Sequence, residues 1–205
     1  MASDFLTPAR LATRTEVLSL ACPVPKTAGV YGWWFRTIPR AIDTSQCACS
    51  NGLTLLYTGI SPTHPPTNGR ASSSQTLRSR IRAHYAGNAE GSTLRKTLGS
   101  LLAAELGIEL RRVGSGARMT FGAGEQVLSA WMAENAFVHW VLHEQPWVLE
   151  RELIASLDVP LNLAGNTRNI FHATLTRIRG DAVARARGLP ILPNPGVGGR
   201  WGDSK

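Results

Sequence analysis

Two short apolar segments, Gly29-Val-Tyr-Gly-Trp-Trp-Phe-Arg36 and Leu53-Thr-Leu-Leu-Tyr-Thr-Gly-Ile60, decide how this chain is expected to fold. Both are rich in β-branched and aromatic residues, which is the composition of a β-strand. Each segment also carries a tyrosine beside or near a glycine, Tyr31 in the first and Tyr57 in the second. We therefore predict two neighbouring strands that bring two phenols toward one end of a sheet.

Side-chain alternation divides the first strand between two faces. Because successive side chains point to opposite sides of a sheet, Tyr31, Trp33 and Phe35 share one face, and Trp34 lies on the other with Arg36. Tryptophans in such positions are more often core residues than platforms for base stacking. We expect both tryptophans to be buried.

Periodicity and capping residues predict the remaining elements. Helices are expected at residues 7–20, 75–85, 92–104, 125–135 and 146–158, a hairpin at 110–121, a third strand at 137–143 and a basic helix at 169–187. The serines at 72–74 offer caps for the second of these helices. This succession of strands and helices predicts a mixed α/β (α+β) fold, with a small sheet flanked by helices.

The excess of basic over acidic residues indicates which kind of partner the protein binds. The 205 residues include 22 Lys and Arg against 14 Asp and Glu, which gives a formal net charge of +8. A basic protein attracts polyanions, and nucleic acid in particular, because phosphate contacts release counterions. The alternative is that the charge only keeps the protein dispersed.

The cysteines and the N-terminus bear on localisation. Three cysteines, of which Cys47 and Cys49 form a C-x-C pair, do not make a disulfide framework, and no second pair stands at zinc-ligand spacing. Charged residues interrupt the apolar run before Cys22, which argues against a signal peptide. No segment is long and apolar enough to span a bilayer. We therefore predict a cytoplasmic protein with no membrane partner.

Two pairs of polar residues stand out on the predicted helices. Arg80 and His84 are four positions apart and project from one helix face. In the helix that Pro146 opens, the positions three, four and seven after Glu150 are apolar, so Glu150 shares the inward face, while Glu152 lies on the wetter side. An inward carboxylate is costly unless it pairs with a cation. Glu150 is therefore expected to bind a metal ion or to form a salt bridge with an arginine.

These residues belong to a set of five features that follow one another along the chain. In that order the set resembles the GIY-YIG nuclease family, including its restriction-enzyme-like members, over about residues 27–162. Valine and threonine replace two isoleucines of the family's tripeptides, and Trp33, Trp34 and Arg36 stand where several members have a lysine. The five features are Gly29-Val30-Tyr31, Tyr57-Thr58-Gly59, Arg80-x-x-x-His84, Glu150-x-x-Leu153-Ile154 and Pro160-Leu161-Asn162.

The resemblance implies an antiparallel sheet and a metal-dependent nuclease site. In that site Glu150 would bind one Mg²⁺ or Mn²⁺, which accepts phosphate oxygens and assists the leaving 3′ oxygen. Arg80 would stabilise charge on the phosphate, and Tyr31 would orient or deprotonate the attacking water. The implied catalytic set is completed by Tyr57 and His84, which would hold water and phosphate, and by Asn162, which would position the phosphate or brace the acidic helix.

The resemblance and the composition together predict four parts of the chain. They are an N-terminal helix and lead-in (residues 1–26), a nuclease-like domain with inserted loops, hairpin and helices (27–165), a basic helix (166–187) and a disordered tail (188–205). Double-stranded DNA is the expected partner, with the chain acting as a monomer or a homodimer. The arginines expected to contact it are Arg36, Arg78, Arg82, Arg168 and Arg177.

Three functions are therefore compared. The first is a divalent-metal-dependent DNA endonuclease. The second is a catalytically inactive nucleic-acid-binding protein on the same fold, which would show salt-dependent binding and no strand breaks. The third is a basic structural or interaction protein, which would show neither activity.

Overall fold

The computed structural model describes residues 2–68, 71 and 73–194. Its centre is a four-stranded sheet in the order β2-β3-β1-β6, in which every neighbouring pair is antiparallel. The mixed class and the antiparallel sheet are both as predicted. The four strands are β1 Gly29–Phe35, β2 Cys49–Ser50, β3 Leu53–Ser61 and β6 Ala136–Leu142.

Strand β1 lies between β3 and β6, and all seven of its residues are buried. Tyr31, Trp33 and Phe35 pack into the larger hydrophobic cluster on one face of the sheet, and Val30 and Trp34 pack into a smaller cluster on the other. Helices cover both faces, which explains why this strand is an almost continuous hydrophobic run. The predicted division of the side chains and the burial of both tryptophans are confirmed.

Eight helices surround the sheet in the described part of the chain. Those that carry or support the site are α3, α4, α7 and α8. The helices are α1 Ala2–Leu6, α2 Arg14–Leu18, α3 Leu77–Ala86, α4 Thr93–Leu101, α5 Ala103–Leu106, α6 Gly124–Asn135, α7 Pro146–Ser156 and α8 His172–Gly188.

Capping residues correct two of the predicted helix boundaries. The helix predicted at residues 7–20 is wrong in extent, because Thr13 forms a capping box with Glu16 and starts α2 there. Similarly, α3 begins after Thr76, which caps it together with Ser79, and not at the serines at 72–74. In both places a threonine that satisfies the first free N–H groups sets the start of the helix.

A buried ion pair joins three of these helices beneath the site. Arg95 on α4 is 0% exposed, and its Nη2 donates to Oε2 of Glu125 on α6 at 2.7 Å. Arg95 Nη1 also donates to the main-chain oxygen of His84 at 3.2 Å. Since an unpaired buried charge is costly, this network fixes the end of α3 relative to α4 and α6.

The predicted hairpin forms β4 Arg111–Val113 and β5 Arg118–Thr120, and the chain beyond α8 returns to it. The N–H of Leu192 donates to the oxygen of Arg112 at 2.9 Å. Residues 189–194 of the predicted disordered tail therefore lie on the hairpin, Gly188 ends α8, and 195–205 lie outside the described residues. Across the described ranges, no helix combines the length and the apolarity needed to cross a bilayer.

Candidate active site

The two tyrosines of the predicted strands meet a histidine from α3 in the larger hydrophobic cluster. Tyr31 Oη lies 2.8 Å from Nε2 of His84, and Nδ1 of the same ring lies 2.7 Å from Oγ of Ser92. The ring of His84 is also 6.2 Å from that of Tyr57, measured between centroids. Tyr31 and His84 are 53 residues apart along the chain, so the tertiary fold makes this contact.

The glycines of the two tripeptides are explained by close contacts. Gly59 is paired with Tyr31 across the sheet, and a Cβ atom added to Gly59 would lie 2.5 Å from the Tyr31 hydroxyl. At Gly29, an added Cβ would lie 2.3 Å from the main-chain oxygen of Val141. Only glycine leaves room for the phenol and for the neighbouring strand, so the two tripeptides are a steric requirement of the site.

Arg80 stands at the centre of the site's electrostatics. Its charge acts on the pKa of Tyr31, of Tyr57, of His84 and of Glu150, which come from β1, β3, α3 and α7. One of its guanidinium nitrogens, Nη1, donates to the main-chain oxygen of Gly91 at 2.9 Å, which orients the side chain. The charge of one guanidinium therefore influences all four of the predicted partner side chains.

Glu150 lies on the inward side of α7, as predicted, and is half-buried. Burial raises the pKa of this carboxyl to about 7, and the nearby charge of Arg80 opposes the rise only in part. No ion pair is formed by Glu150 within the described ranges. A cation beside this carboxyl would lower its pKa and favour its charged form.

Both phenols are protonated at neutral pH. Burial raises the pKa of Tyr57 to about 12 and that of Tyr31 well above its ordinary value, although the charge of Arg80 lowers both. Burial also lowers the pKa of His84 well below its ordinary value, and the charges of Arg80 and Arg95 add to this effect. The His84 ring is therefore neutral and carries one proton.

Asn162 braces the strand that carries Tyr57. Its Oδ1 accepts from the N–H of Thr58 at 2.9 Å, and its Nδ2 donates to the oxygen of Thr58 at 2.8 Å. Thr58 separates Tyr57 from Gly59, and Asn162 follows the end of α7. The two predicted roles were to position the phosphate or to brace the acidic helix, whereas these side-chain contacts are to strand β3.

The arginines predicted to contact nucleic acid have different environments. Arg78, Arg82 and Arg168 donate to main-chain oxygens of Val24, Val17 and Ile154 among others. Arg36 lies over the ring of Phe137 and donates to the oxygen of Glu134, and Arg177 forms an exposed ion pair with Asp181. The first three arginines thus bind main-chain oxygens of the fold, and the exposed arginines of the set are Arg36, Arg168 and Arg177.

One cation near the site was not among the predicted site residues. Arg179 on α8 is half-buried, donates to Oγ1 of Thr97 at 3.4 Å, and its charge lowers the pKa of Tyr57. The sequence did contain a signal, since Arg179 follows Leu175 by four positions and so shares its buried side of the helix. Ser92 was predicted only as the first residue of the helix at residues 92–104, and its contact with His84 was missed.

Metal ligands are sparse in the described residues. No group of three or more His, Cys, Asp and Glu side chains there is arranged to hold an ion. Cys47 donates to Oδ2 of Asp158 at 3.4 Å, and Cys47, Cys49 and Cys22 are free thiols. The prediction that Glu150 binds a metal ion therefore rests on that side chain and not on a cluster of ligands.

Comparison with known proteins agrees with this geometry. The model of the GIY-YIG catalytic domain matches residues 29–181, which is most of the chain. No curated protein and no solved structure shows significant similarity to the chain. The match includes both strand tyrosines, Arg80 with His84, the Glu150 helix, Asn162 and α8 as far as residue 181. On this evidence, the chain belongs to the GIY-YIG family of nuclease domains.

Proposed function

We propose that the protein is a divalent-metal-dependent endonuclease that hydrolyses phosphodiester bonds in DNA. The observation that carries this proposal is the position of Arg80, whose charge acts on both tyrosines, on His84 and on Glu150. A phosphate bound beside this guanidinium would lie within reach of hydrogen-bond donors and of one carboxylate. These are the groups that a phosphodiester hydrolase needs.

The proposed roles follow from the chemistry of each side chain. Arg80 offsets the negative charge that grows on the phosphate as water attacks. Tyr31, a protonated phenol in this setting, orients the attacking water, and Tyr57 and His84 hold water and phosphate by hydrogen bonds. Arg179 supplies a second positive charge next to Tyr57. The water oxygen gives up a proton and bonds to phosphorus, and the bond to the leaving sugar oxygen breaks. That oxygen takes up a proton, so one proton passes in net from the water to the leaving oxygen.

Glu150 is the proposed ligand of one Mg²⁺ or Mn²⁺. Its half-buried carboxylate, whose pKa burial raises to about 7, fits a cation as the partner that favours the charged form. A single carboxylate with water and phosphate oxygens also suits the coordination habits of Mg²⁺. When bound, such an ion would reduce the charge on the phosphate and assist departure of the sugar oxygen.

Double-stranded DNA is the proposed substrate because the chain is basic and because two arginines, Arg80 and Arg179, are close enough to Tyr57 for their charges to lower its pKa. The formal charge of +8 would attract a polyanion over some distance. Arg36 and Arg177 are proposed to contact the DNA backbone directly. Arg78, Arg82 and Arg168 would act mainly through their charge, because main-chain oxygens already engage them.

A plasmid-nicking assay with added Mg²⁺ or Mn²⁺ tests the proposal. The native chain should convert supercoiled DNA to the nicked form, and Glu150→Gln and Arg80→Ala should each reduce the rate by on the order of a hundredfold or more. Glu152→Gln and Arg187→Ala remove the same charges from exposed positions and should change little. Equal rates in the native chain and in Glu150→Gln would overturn the assigned site.

One observation favours the second candidate, a DNA-binding protein without catalysis. Burial raises the pKa of both phenols, so neither is ready to accept a proton from water. This candidate predicts DNA binding that weakens as salt rises, and no strand breaks at any concentration of divalent metal. The nicking assay separates the two candidates directly.

A further inference from the structure

In the described part of the chain, the His84 ring has one hydrogen-bond partner outside the predicted site, the side chain of Ser92. It is 0% exposed, and its Oγ lies 2.7 Å from Nδ1 of His84. On the far side of the same ring, Nε2 lies 2.8 Å from Oη of Tyr31. The three side chains form a continuous line of hydrogen bonds that ends at the tyrosine proposed to orient water.

Ser92 has a second partner, which limits what its hydroxyl can do. As the N-cap of α4, its Oγ accepts from the N–H of Arg95 at 3.1 Å. The hydroxyl proton must itself be donated, because an unpaired buried donor is costly. In the described part of the chain, the acceptor that the structure offers it is Nδ1 of His84.

We propose that Ser92 is a positioning residue that holds the single ring proton of His84 on Nε2, facing Tyr31. With Nδ1 occupied as an acceptor, the neutral ring carries its proton on the other nitrogen. Nε2–H then donates to Oη of Tyr31. The line of hydrogen bonds therefore runs in one direction, from serine to histidine to tyrosine.

This direction determines where the proton of Tyr31 points. Because Oη accepts from His84, its own O–H is not donated to that ring. Tyr31 is 1% exposed, so this O–H takes its acceptor from a bound water or substrate oxygen. In the opposite tautomer, Nε2 would accept, and the Tyr31 proton would be used up inside the protein. Ser92 therefore keeps Tyr31 available as a donor in the reaction, an inference that rests on the proposed function.

Nuclear magnetic resonance gives a readout that does not depend on catalysis. Long-range ¹⁵N–¹H correlation spectra distinguish the two tautomers of a neutral imidazole, and His84→Gln identifies the signals of His84. We expect the Nε2–H form in the native chain and in Ser92→Thr, which retains the hydroxyl. In Ser92→Gly, which removes it, the Nδ1–H form should appear. Glycine is nearly as good an N-cap as serine, so α4 should persist.

Kinetics then tests the role in the reaction. Ser92→Gly should lower kcat by on the order of tenfold with little change in KM, and Ser92→Thr should restore it. Thr13→Ala, which removes the cap of the distant helix α2, should leave both constants unchanged. An Nδ1–H ring in the native chain, or an unchanged kcat in Ser92→Gly, would overturn the inference. A native chain without nuclease activity would instead overturn the proposed function and leave the tautomer measurement intact.

Discussion

Replacing Glu150 with glutamine is expected to stabilise the protein while it abolishes cleavage. The carboxyl has an ordinary pKa of 4.5 in the unfolded chain, and burial raises it to about 7 in the folded protein. The folded state therefore holds a proton between these two values that the unfolded state has released. Stability consequently falls as pH rises from 4.5 to 7 and is constant above that range.

The size of the effect follows from the two pKa values. Their difference corresponds to about 3 kcal/mol of stability that the native chain loses by pH 8. Glutamine has nearly the same shape and does not ionise, so Glu150→Gln should avoid this loss. The variant should exceed the native chain by up to about 3 kcal/mol at pH 8 and by much less at pH 5.

Chemical denaturation in EDTA at pH 5, 6, 7 and 8 measures the free energy of unfolding of both proteins. Glu152→Gln is the matched control, because its side chain is exposed on the same helix. Addition of Mg²⁺ at a hundred times its Kd should then stabilise the native chain by about 2.7 kcal/mol and should not affect Glu150→Gln. A difference between variant and native chain that stays constant from pH 5 to 8 would refute the reasoning.

Three further substitutions test the site. Arg179→Ala should lower kcat/KM on DNA by about tenfold, since a charge-assisted contact with phosphate is lost. Arg187→Ala, at an exposed position of the same helix, should leave kcat/KM unchanged, and equal effects of the two substitutions would argue against a specific role of Arg179. Gly59→Ala should reduce the nicking rate by about a hundredfold, because the added methyl group displaces the phenol of Tyr31. The control Gly180→Ala, in open space on α8, should raise the free energy of unfolding by about 1 kcal/mol. Asn162→Ala should cost about 2 kcal/mol in denaturation experiments, because it leaves two buried main-chain groups unpaired; an unchanged midpoint would contradict the bracing role.

Local patterns were sufficient for the long strands and for most of the helices, but they did not predict the two-residue strand β2. The alternation in β1 placed Tyr31 and Trp34 on opposite faces, as the two hydrophobic clusters confirm. Helical spacing placed Glu150 on the inward side of α7. Where prediction failed, as at the start of α2, the boundary depended on which of several polar residues near the helix start formed the cap. That choice is made by hydrogen-bond geometry, which spacing does not reveal.

The sequence alone therefore determined the class of fold, the order of the five motifs and the side chains proposed to carry the chemistry, since these depend on residue type and on contacts close along the chain. Only the tertiary structure decided which partners meet. The arginine centred among two phenols, a histidine and a carboxylate, the contact of Ser92 with His84 and the approach of Arg179 to Tyr57 all join distant segments. Burial is likewise a property of the folded chain, and it is burial that raises the pKa of Glu150 and of the two tyrosines.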